Sequence, residues 1–461
     1  MPFYSVSIKK SELLIPGGSY NRIKTAFMYG ADVVYAGTPD MSLRVKAKVT
    51  LDEMAECIEY AHSIGKKIYL AVNLYTHNRD IARLPDFANT LKKLSPDGAI
   101  VADAGVFRYM RNHLPELPLH VSTQANVCSY ETAMFWYDIG AKLCVLGREV
   151  SFEELKEIRE KVAPDLRLET FIHGSMCMSY SGRCLISNFL TERSSNQGNC
   201  AHCCRWNYKL YARPREELIE TGTIKEEAKK LGIDINSDTM KLFDFYLEEQ
   251  ERKGEFIEVC EDDRGAYLMN SRDLCLMPKL DKLLSIGIDS LKVEGRNKSE
   301  YYAGTTARAY RHAIDAFYNS PDNWNYVPYM NELNTLQNRG YTYGFFDGHL
   351  THHAMNYETT RSDGNWRYAA CVSNHTPDGI VLEMKNSFKQ GDEIEFLAPS
   401  RFEPVKMKLN TIIDTKNNNK LERATVANKY VLVPYEDFIG YTKEEVTNLL
   451  PVLSLSRVKI G

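Results

Sequence analysis

Residues 12–37 read ELLIPGGSYNRIKTAFMYGADVVYAG. A short apolar run stops at proline and two glycines, an amphipathic stretch follows and closes on Gly30, and a second apolar run stops at Gly37. Runs of this length with no polar alternation are what parallel strands buried on both faces look like, and the stretch between them has helical periodicity. The pattern repeats. Further strand-like runs are KIYLAVN from Lys67, GAIVAD from Gly98, LHVSTQ from Leu119, LCVLGRE from Leu143, RLETFIHG from Arg167 and SLKVEGR from Ser290. Between most of them lie helical patterns such as LDEMAECIEYAHSIG and YETAMFWYDIGA, with glycine at the close. Counting ELLIPGG and DVVYAG there are eight such runs, which predicts an α/β fold of the TIM type, a (β/α)8 barrel.

Sites in such barrels sit where strands run out into the following loops. Asn73, Asp103, Gln124, Arg148, Glu149, His173, Glu294 and Arg296 fall there, each with helix capping or sealing of the barrel mouth as its alternative role. The expected organisation is a barrel over 1–320, interrupted by a cysteine-rich segment at 173–206 and an insertion at 213–261, then a connector at 321–365. A small antiparallel β-barrel at 366–440 and a C-terminal segment at 441–461 follow. The insertion, rich in Glu and Lys, reads as a solvated helical excursion through EEAKKL and FDFYLEEQER. The small barrel is read from RYAACVSN, GIVLEMKN, GDEIEFLAPS and KYVLVPY, which alternate apolar and polar residues between turns.

The 461 residues are 44% hydrophobic and 26% charged, an ordinary globular composition, and the formal net charge of −4 excludes indiscriminate affinity for polyanions. A nucleic acid would have to be met by a local patch. Arg44, Lys46 and Lys48, then Arg205, Lys209, Arg213 and Arg215, then Arg296, Lys298, Arg308 and Arg311 form runs that are either such patches or solvated faces. No secretory signal pattern or apolar run of membrane-spanning length is present, so the expectation is a cytoplasmic protein without membrane contact. Eleven cysteines in a reducing compartment point to metal or catalysis rather than disulfides.

Five of those cysteines lie in HGSMCMSYSGRCLISNFLTERSSNQGNCAHCCRW, residues 173–206. Six residues separate Cys177 from Cys184 and fifteen separate Cys184 from Cys200, with Cys203 and Cys204 just beyond. Thiolates bind both zinc and iron–sulfur clusters; the gaps suit a cluster held in a loop better than paired zinc knuckles, while unmetallated thiols stay open. A single nucleophilic cysteine served by His173 or His202 is the rival, although five thiols are more than it needs. Neither H-E-x-x-H nor G-x-S-x-G occurs. The PGGS loop before the first helix is a weak anion-site pattern. Cys57, Cys128, Cys144, Cys260 and Cys371 read as packed small residues.

The chain resembles the peptidase U32 family over nearly its whole length. The resemblance rests on residues 12–37 with SLR after them, NLYTHNRD, VSTQANV, the whole of 173–206, NSRDLCL, KVEGRNKSEYYAGTTARAYR and, near the end, KNSFKQGDEIEFLAP. Despite its name, the family is associated with hydroxylation of tRNA wobble uridine, ribosomal RNA cytidine or ubiquinone precursors, and length and the terminal barrel point to the tRNA branch. The resemblance implies a 5-hydroxyuridine-forming enzyme with prephenate as hydroxyl donor and the tRNA anticodon region as partner; it names no protein partner. It further implies a [4Fe-4S] cluster on Cys177, Cys184, Cys200 and Cys275, with Cys204 able to replace a ligand. Arg44, Arg148, Arg183 and Arg296 become candidate clamps for the two prephenate carboxylates. His173, Tyr180 and Glu294 become catalytic candidates, and Tyr180 or Trp206 a platform for a splayed base. Two departures stand out: Cys203 replaces the proline usual at that point of the motif, and the insertion is longer than in compact ubiquinone-pathway members. A U32-type peptidase and a non-catalytic RNA-binding protein are the alternatives.

Overall fold

The computed structural model describes residues 10–38, 41–42, 49–176, 191, 201, 203–206, 208–213, 219–220, 244–249, 254, 256–259, 271–348 and 364–460. Strands β1 (Glu12–Gly17), β2 (Val33–Gly37), β3 (Lys67–Val72), β4 (Gly98–Val101), β5 (Leu119–Val121), β6 (Leu143–Val145) and β7 (Arg167–Ser175) lie side by side, each parallel to the next. After β7 come β8 (Tyr208–Arg213), β9 (Ile219–Glu220), β10 (Asp244–Glu249) and β11 (Phe256–Val259), which form a separate four-stranded antiparallel sheet. The chain returns through β12 (Asp273–Cys275) to β13 (Ser290–Val293), which pairs in parallel with both β7 and β1 and closes the barrel. All eight expected strands are present. The closed parallel barrel is the fold the sequence predicts.

Six of the turns from strand to helix are built the same way. Ser19, Thr50, Asp103, Ser129, Ser151 and Ser299 have extended backbone and accept a hydrogen bond from an N–H of the first helical turn, so helices start cleanly at the mouth side. At the first of these turns Gly18 has a second duty. A Cβ there would run into the Arg296 carbonyl oxygen and the Arg22 guanidinium, which are themselves hydrogen-bonded at 2.5 Å. The PGGS turn therefore closes on β13's outgoing chain. Gly18→Ala is expected to cost about 1–3 kcal/mol by overpacking, read as a lower urea midpoint.

Outward residues of the strands join the flanking helices in the main core, while Leu14, Val33, Tyr35, Tyr69 and Ile100 make a small apolar cluster of their own. These belong to the inward parity of β1–β4.

The insertion differs from the expectation where it is described. Asp244–Glu249, read as helix, is strand β10, paired residue for residue with β8 through Phe245↔Ala212 and Leu247↔Leu210. The alternation Phe-Tyr-Leu suits a ladder, and cross-strand partners outweigh the helix preference of the neighbouring glutamates. EEAKKL lies outside the described residues. The stretch expected as a connector carries a helix, Val327–Leu333, and β14 (Tyr341–Thr342), which pairs with β12.

Beyond it, β15 (Trp366–His375), β16 (Gly379–Met384), β17 (Phe388–Lys389), β18 (Glu393–Leu397), β19 (Val405–Lys408), β20 (Ile413–Asp414), β21 (Arg423–Ala424), β22 (Tyr430–Pro434) and β23 (Leu455–Lys459) form the antiparallel β unit. Set apart in the sequence reading, 441–461 supplies β23, which lies between β18 and β15. Tyr29 hydroxyl donates to the Leu397 carbonyl at 2.6 Å and accepts from the Leu455 N–H at 2.9 Å, tying barrel to sheet. Beside it the Glu332 carboxylate meets Arg308 at 2.6 Å and Arg457 at 3.0 Å, and Arg457 meets Glu395 at 2.7 Å, all buried. Among the described residues no helix is long and apolar enough to cross a membrane.

Candidate functional site

The barrel mouth has a charged side and a neutral side. On the charged side, Arg148 follows β6 and Glu294 follows β13; their side chains pair at 2.9 Å, and the Arg148 guanidinium lies over the Phe171 ring at 3.9 Å. Beneath that ring Lys292 is buried and pairs with Glu169 at 2.7 Å, its ammonium 5.6 Å from Phe171 and 4.5 Å from Tyr35. Arg296 is buried too, donating to Ser42 Oγ at 2.9 Å above Tyr35. Ion pairs continue to the barrel floor, where Arg167 meets Glu12 at 2.9 Å. Such an interior departs from the branched apolar layers usual in these barrels, and it sets fixed, paired charges of both signs under the mouth.

His120 stands next to this column, edge-on to Tyr69 with ring centroids 4.4 Å apart. Burial, with Arg167 and Lys292 adding repulsion, pushes it down to about 3. Its folded value lies below the unfolded value of about 6.5, so the unfolded chain takes a proton that the folded chain refuses. The stability it contributes is whole above about pH 6.5 and is lost as pH falls toward 3. Urea midpoints measured from pH 7 down to pH 4.5 should fall steadily, and His120→Asn should flatten that slope.

On the neutral side, Asn73 after β3 donates to Gln124 Oε1 after β5 at 2.5 Å, and Tyr75 hydroxyl donates to the Gln124 carbonyl at 3.0 Å. The inward positions near them are small: Gly37, Ala71, Ala102 and Ser122.

A small cleft opens at the end of β7, lined by His173, Ser175, Asp273, Lys298, Tyr302 and Tyr341 among others. β7 extends past the barrel here and takes β12 as an antiparallel neighbour, with Cys275 opposite His173 and Asp273 opposite Ser175. Gly174 makes this possible: at φ +119 it lets the Glu294 backbone pack against it where a Cβ would clash. Asp273 is held by Arg339 in a buried pair. The rings of Tyr302, Tyr310 and Tyr341 lie 5.8, 5.8 and 5.4 Å from that of His173, and burial pushes its imidazole down to about 4. It is therefore neutral at physiological pH, an acceptor rather than a cation.

Of the four cysteines implied as cluster ligands, Cys275 alone lies within the described residues. Its sulfur is fully buried, 3.7 Å from Tyr310 Oη and 3.7 Å from Met330 Sδ, on the face of the ladder that His173 occupies. Burial pushes the thiol up to about 11. A soft donor with apolar walls and no ionic partner among the described residues fits a thiolate-bound iron group, which displaces the proton on binding. The chain leading to Cys177 is anchored beside it, since Ser271 Oγ donates to the Met176 carbonyl at 3.0 Å.

Cys177, Cys184, Cys200, Tyr180, Arg183 and Arg44 lie outside the described residues. Asp103 is a helix cap, accepting from the Val106 N–H at 2.9 Å. Cys203 is buried and Cys204 half-buried in a short turn with Trp206, whose N–H meets the Cys203 carbonyl at 3.1 Å. Cys57, Cys144 and Cys371 are buried and Cys128 half-buried; Cys260 is outside. The basic run from Arg296 to Arg311 is no surface patch: Arg296 and Arg308 are buried, and Arg311 pairs with Asp32 at 2.7 Å and with Asp315 at 2.6 Å. Sequence reasoning missed Lys292, Glu169, Asp273 and Tyr302. The available clue was a charge at inward strand parity in RLETF and SLKV.

The profile of peptidase family U32 matches residues 18–356, and that of the U32 C-terminal domain matches residues 365–441. Among curated relatives, "tRNA hydroxylation protein P" of Escherichia coli is 38% identical over 403 residues, covering 85% of this chain and 86% of that one. "tRNA hydroxylation protein P1" of Bacillus subtilis is 34% identical over 423 residues, covering 91% and 90%. The E. coli "23S rRNA 5-hydroxycytidine C2501 synthase" is 29% identical over 318 residues, covering 68% of this chain and 40% of that longer one.

Proposed function

Because this chain belongs to peptidase family U32, we propose that it is an RNA-hydroxylating enzyme that acts on tRNA and converts the wobble uridine to 5-hydroxyuridine. The observation that carries this reading is similarity across both structural units to relatives named for tRNA hydroxylation, over most of each chain. The proposed hydroxyl donor is prephenate, and the proposed compartment is the cytoplasm. Support for the donor comes from the mouth, where Arg148 and Arg296 stand over aromatic rings with Lys292 beneath, a field suited to a dicarboxylate. Glu294 holds the Arg148 fork in place. Neutral His173 can accept a hydrogen bond at the cleft beside them. Cys177, Cys184, Cys200 and Cys275 are the proposed holders of a [4Fe-4S] cluster. Such a cluster supplies single-electron transfer.

The test is nucleoside mass spectrometry of tRNA from a strain lacking its own hydroxylation genes. Expression of this chain should restore 5-hydroxyuridine, and Arg148→Met should restore about a hundredth as much or less, the scale expected when a bidentate clamp is lost. A chain that restores no hydroxylated nucleoside but cleaves peptides without iron would be the peptidase instead.

A further inference from the structure

We propose that Gln124 reads the target base, donating from its Nε2 amide to a ring carbonyl of the pyrimidine and so favouring uracil over cytosine. The inference rests on the RNA-hydroxylation reading and adds a specificity residue to it.

Gln124 is held from several sides. Its Oε1 accepts from Asn73 Nδ2 at 2.5 Å and from Ser122 Oγ at 3.4 Å, its main-chain N–H donates to Ser122 Oγ at 3.4 Å, and its carbonyl accepts from Tyr75. Those contacts occupy the acceptor end of the carboxamide and orient it. The donor end is left: Nε2 makes no hydrogen bond among the described residues, although the side chain is 8% exposed. Nε2 is not sealed from solvent, so it is available to donate to a group that enters the mouth.

Its surroundings indicate the partner's shape. Ala71, Ala102 and Ser122 are the neighbouring inward residues, small side chains that suit a flat ring, and Ile100 lies a step deeper in the barrel. Among the described residues, the charged groups Arg148, Glu294 and Arg296 belong to other strands of the mouth. Uracil carries a carbonyl at C4, next to the C5 that is hydroxylated, where cytosine carries an amino group. An oriented donor bonds the first and is left facing another donor by the second, and mismatches of this kind discriminate strongly.

Gln124→Glu and Gln124→Leu separate this role from scaffolding. Glutamate keeps an oxygen for Asn73 and Ser122, loses the donor and adds a charge; leucine loses both donor and acceptor without a charge. In the complemented strain, both variants are expected to give less than a tenth of the wild-type 5-hydroxyuridine, with tRNA binding by filter retention and the melting temperature unchanged. Near-wild-type hydroxylation by Gln124→Leu overturns the proposal, as does activity in Gln124→Glu with loss in Gln124→Leu, the result a scaffold predicts. A wild type that restores nothing removes the function reading, and this inference with it.

Discussion

Glu332→Leu is expected to lower stability by about 3–5 kcal/mol, because one carboxylate serves two buried arginines and its loss strands both. Arg308 is 1% exposed and Arg457 4% exposed, so neither guanidinium reaches water to recover its solvation. Arg457 keeps Glu395 at 2.7 Å and Thr335 at 3.0 Å, and Arg308 keeps the Phe402 carbonyl, so the penalty falls short of two bare charges. Urea unfolding followed by tryptophan fluorescence reads it directly, since Trp366 lies under Arg457 with 4.8 Å from guanidinium to ring centre. Replacing the network together, Arg308→Met and Arg457→Met with Glu332→Leu and Glu395→Leu, should recover much of the loss, because Glu395 is the other buried partner of Arg457 and an apolar set of similar volume leaves no buried charge unpaired. A loss below about 1 kcal/mol in the single variant would place the network with ordinary surface pairs and refute its role as the weld between the units.

The second large effect concerns Cys275. Cys275→Ala is expected to cut iron from about four per chain, the content of a cubane cluster, to below one, and to abolish 5-hydroxyuridine in the complemented strain. Fold stability should change little, since Cys→Ala removes one sulfur from a packed site and costs about 1 kcal/mol. Iron and sulfide content on anaerobically purified protein separates the two effects. Full iron retention would assign the fourth ligand to another thiol, Cys204 being next in order. In the metal-free protein the thiol pushed up to about 11 should resist alkylation at pH 8.

The barrel was legible because parallel strands buried on both faces leave unbroken apolar runs, and some of the runs lead directly into a residue that caps the next helix, as Ser19 and Asp103 do. Four of the mouth residues, Asn73, Gln124, Arg148 and Glu294, followed from position alone. Their pairing did not: no local pattern says that Arg148 meets Glu294 across 146 positions of chain. β12 and β14, at three and two residues, are too short to carry a period, and β12 becomes a strand because β7 overshoots the barrel and offers it a free edge. β10 misled because its glutamates favour helix in isolation while its partners lie on β8. The ion-paired column inside the barrel went unseen because Lys292 and Glu169 each look like an error in an apolar run until they are found 2.7 Å apart.

β23 has a bearing on how the molecule is made. It is the last strand among the described residues, yet it lies inside its sheet between β18 and β15, carries Arg457 into the network with Glu332, and sends Leu455 against Gly304 and Tyr29 of the barrel. During synthesis the barrel can close once β13 has left the ribosome, as N-terminal units generally do. Arg308 and Glu332 would then wait, paired with each other but short of their third member, until the final strand emerges. Over that interval the nascent chain presents a half-built charged seam, which is where a chaperone would be expected to hold it.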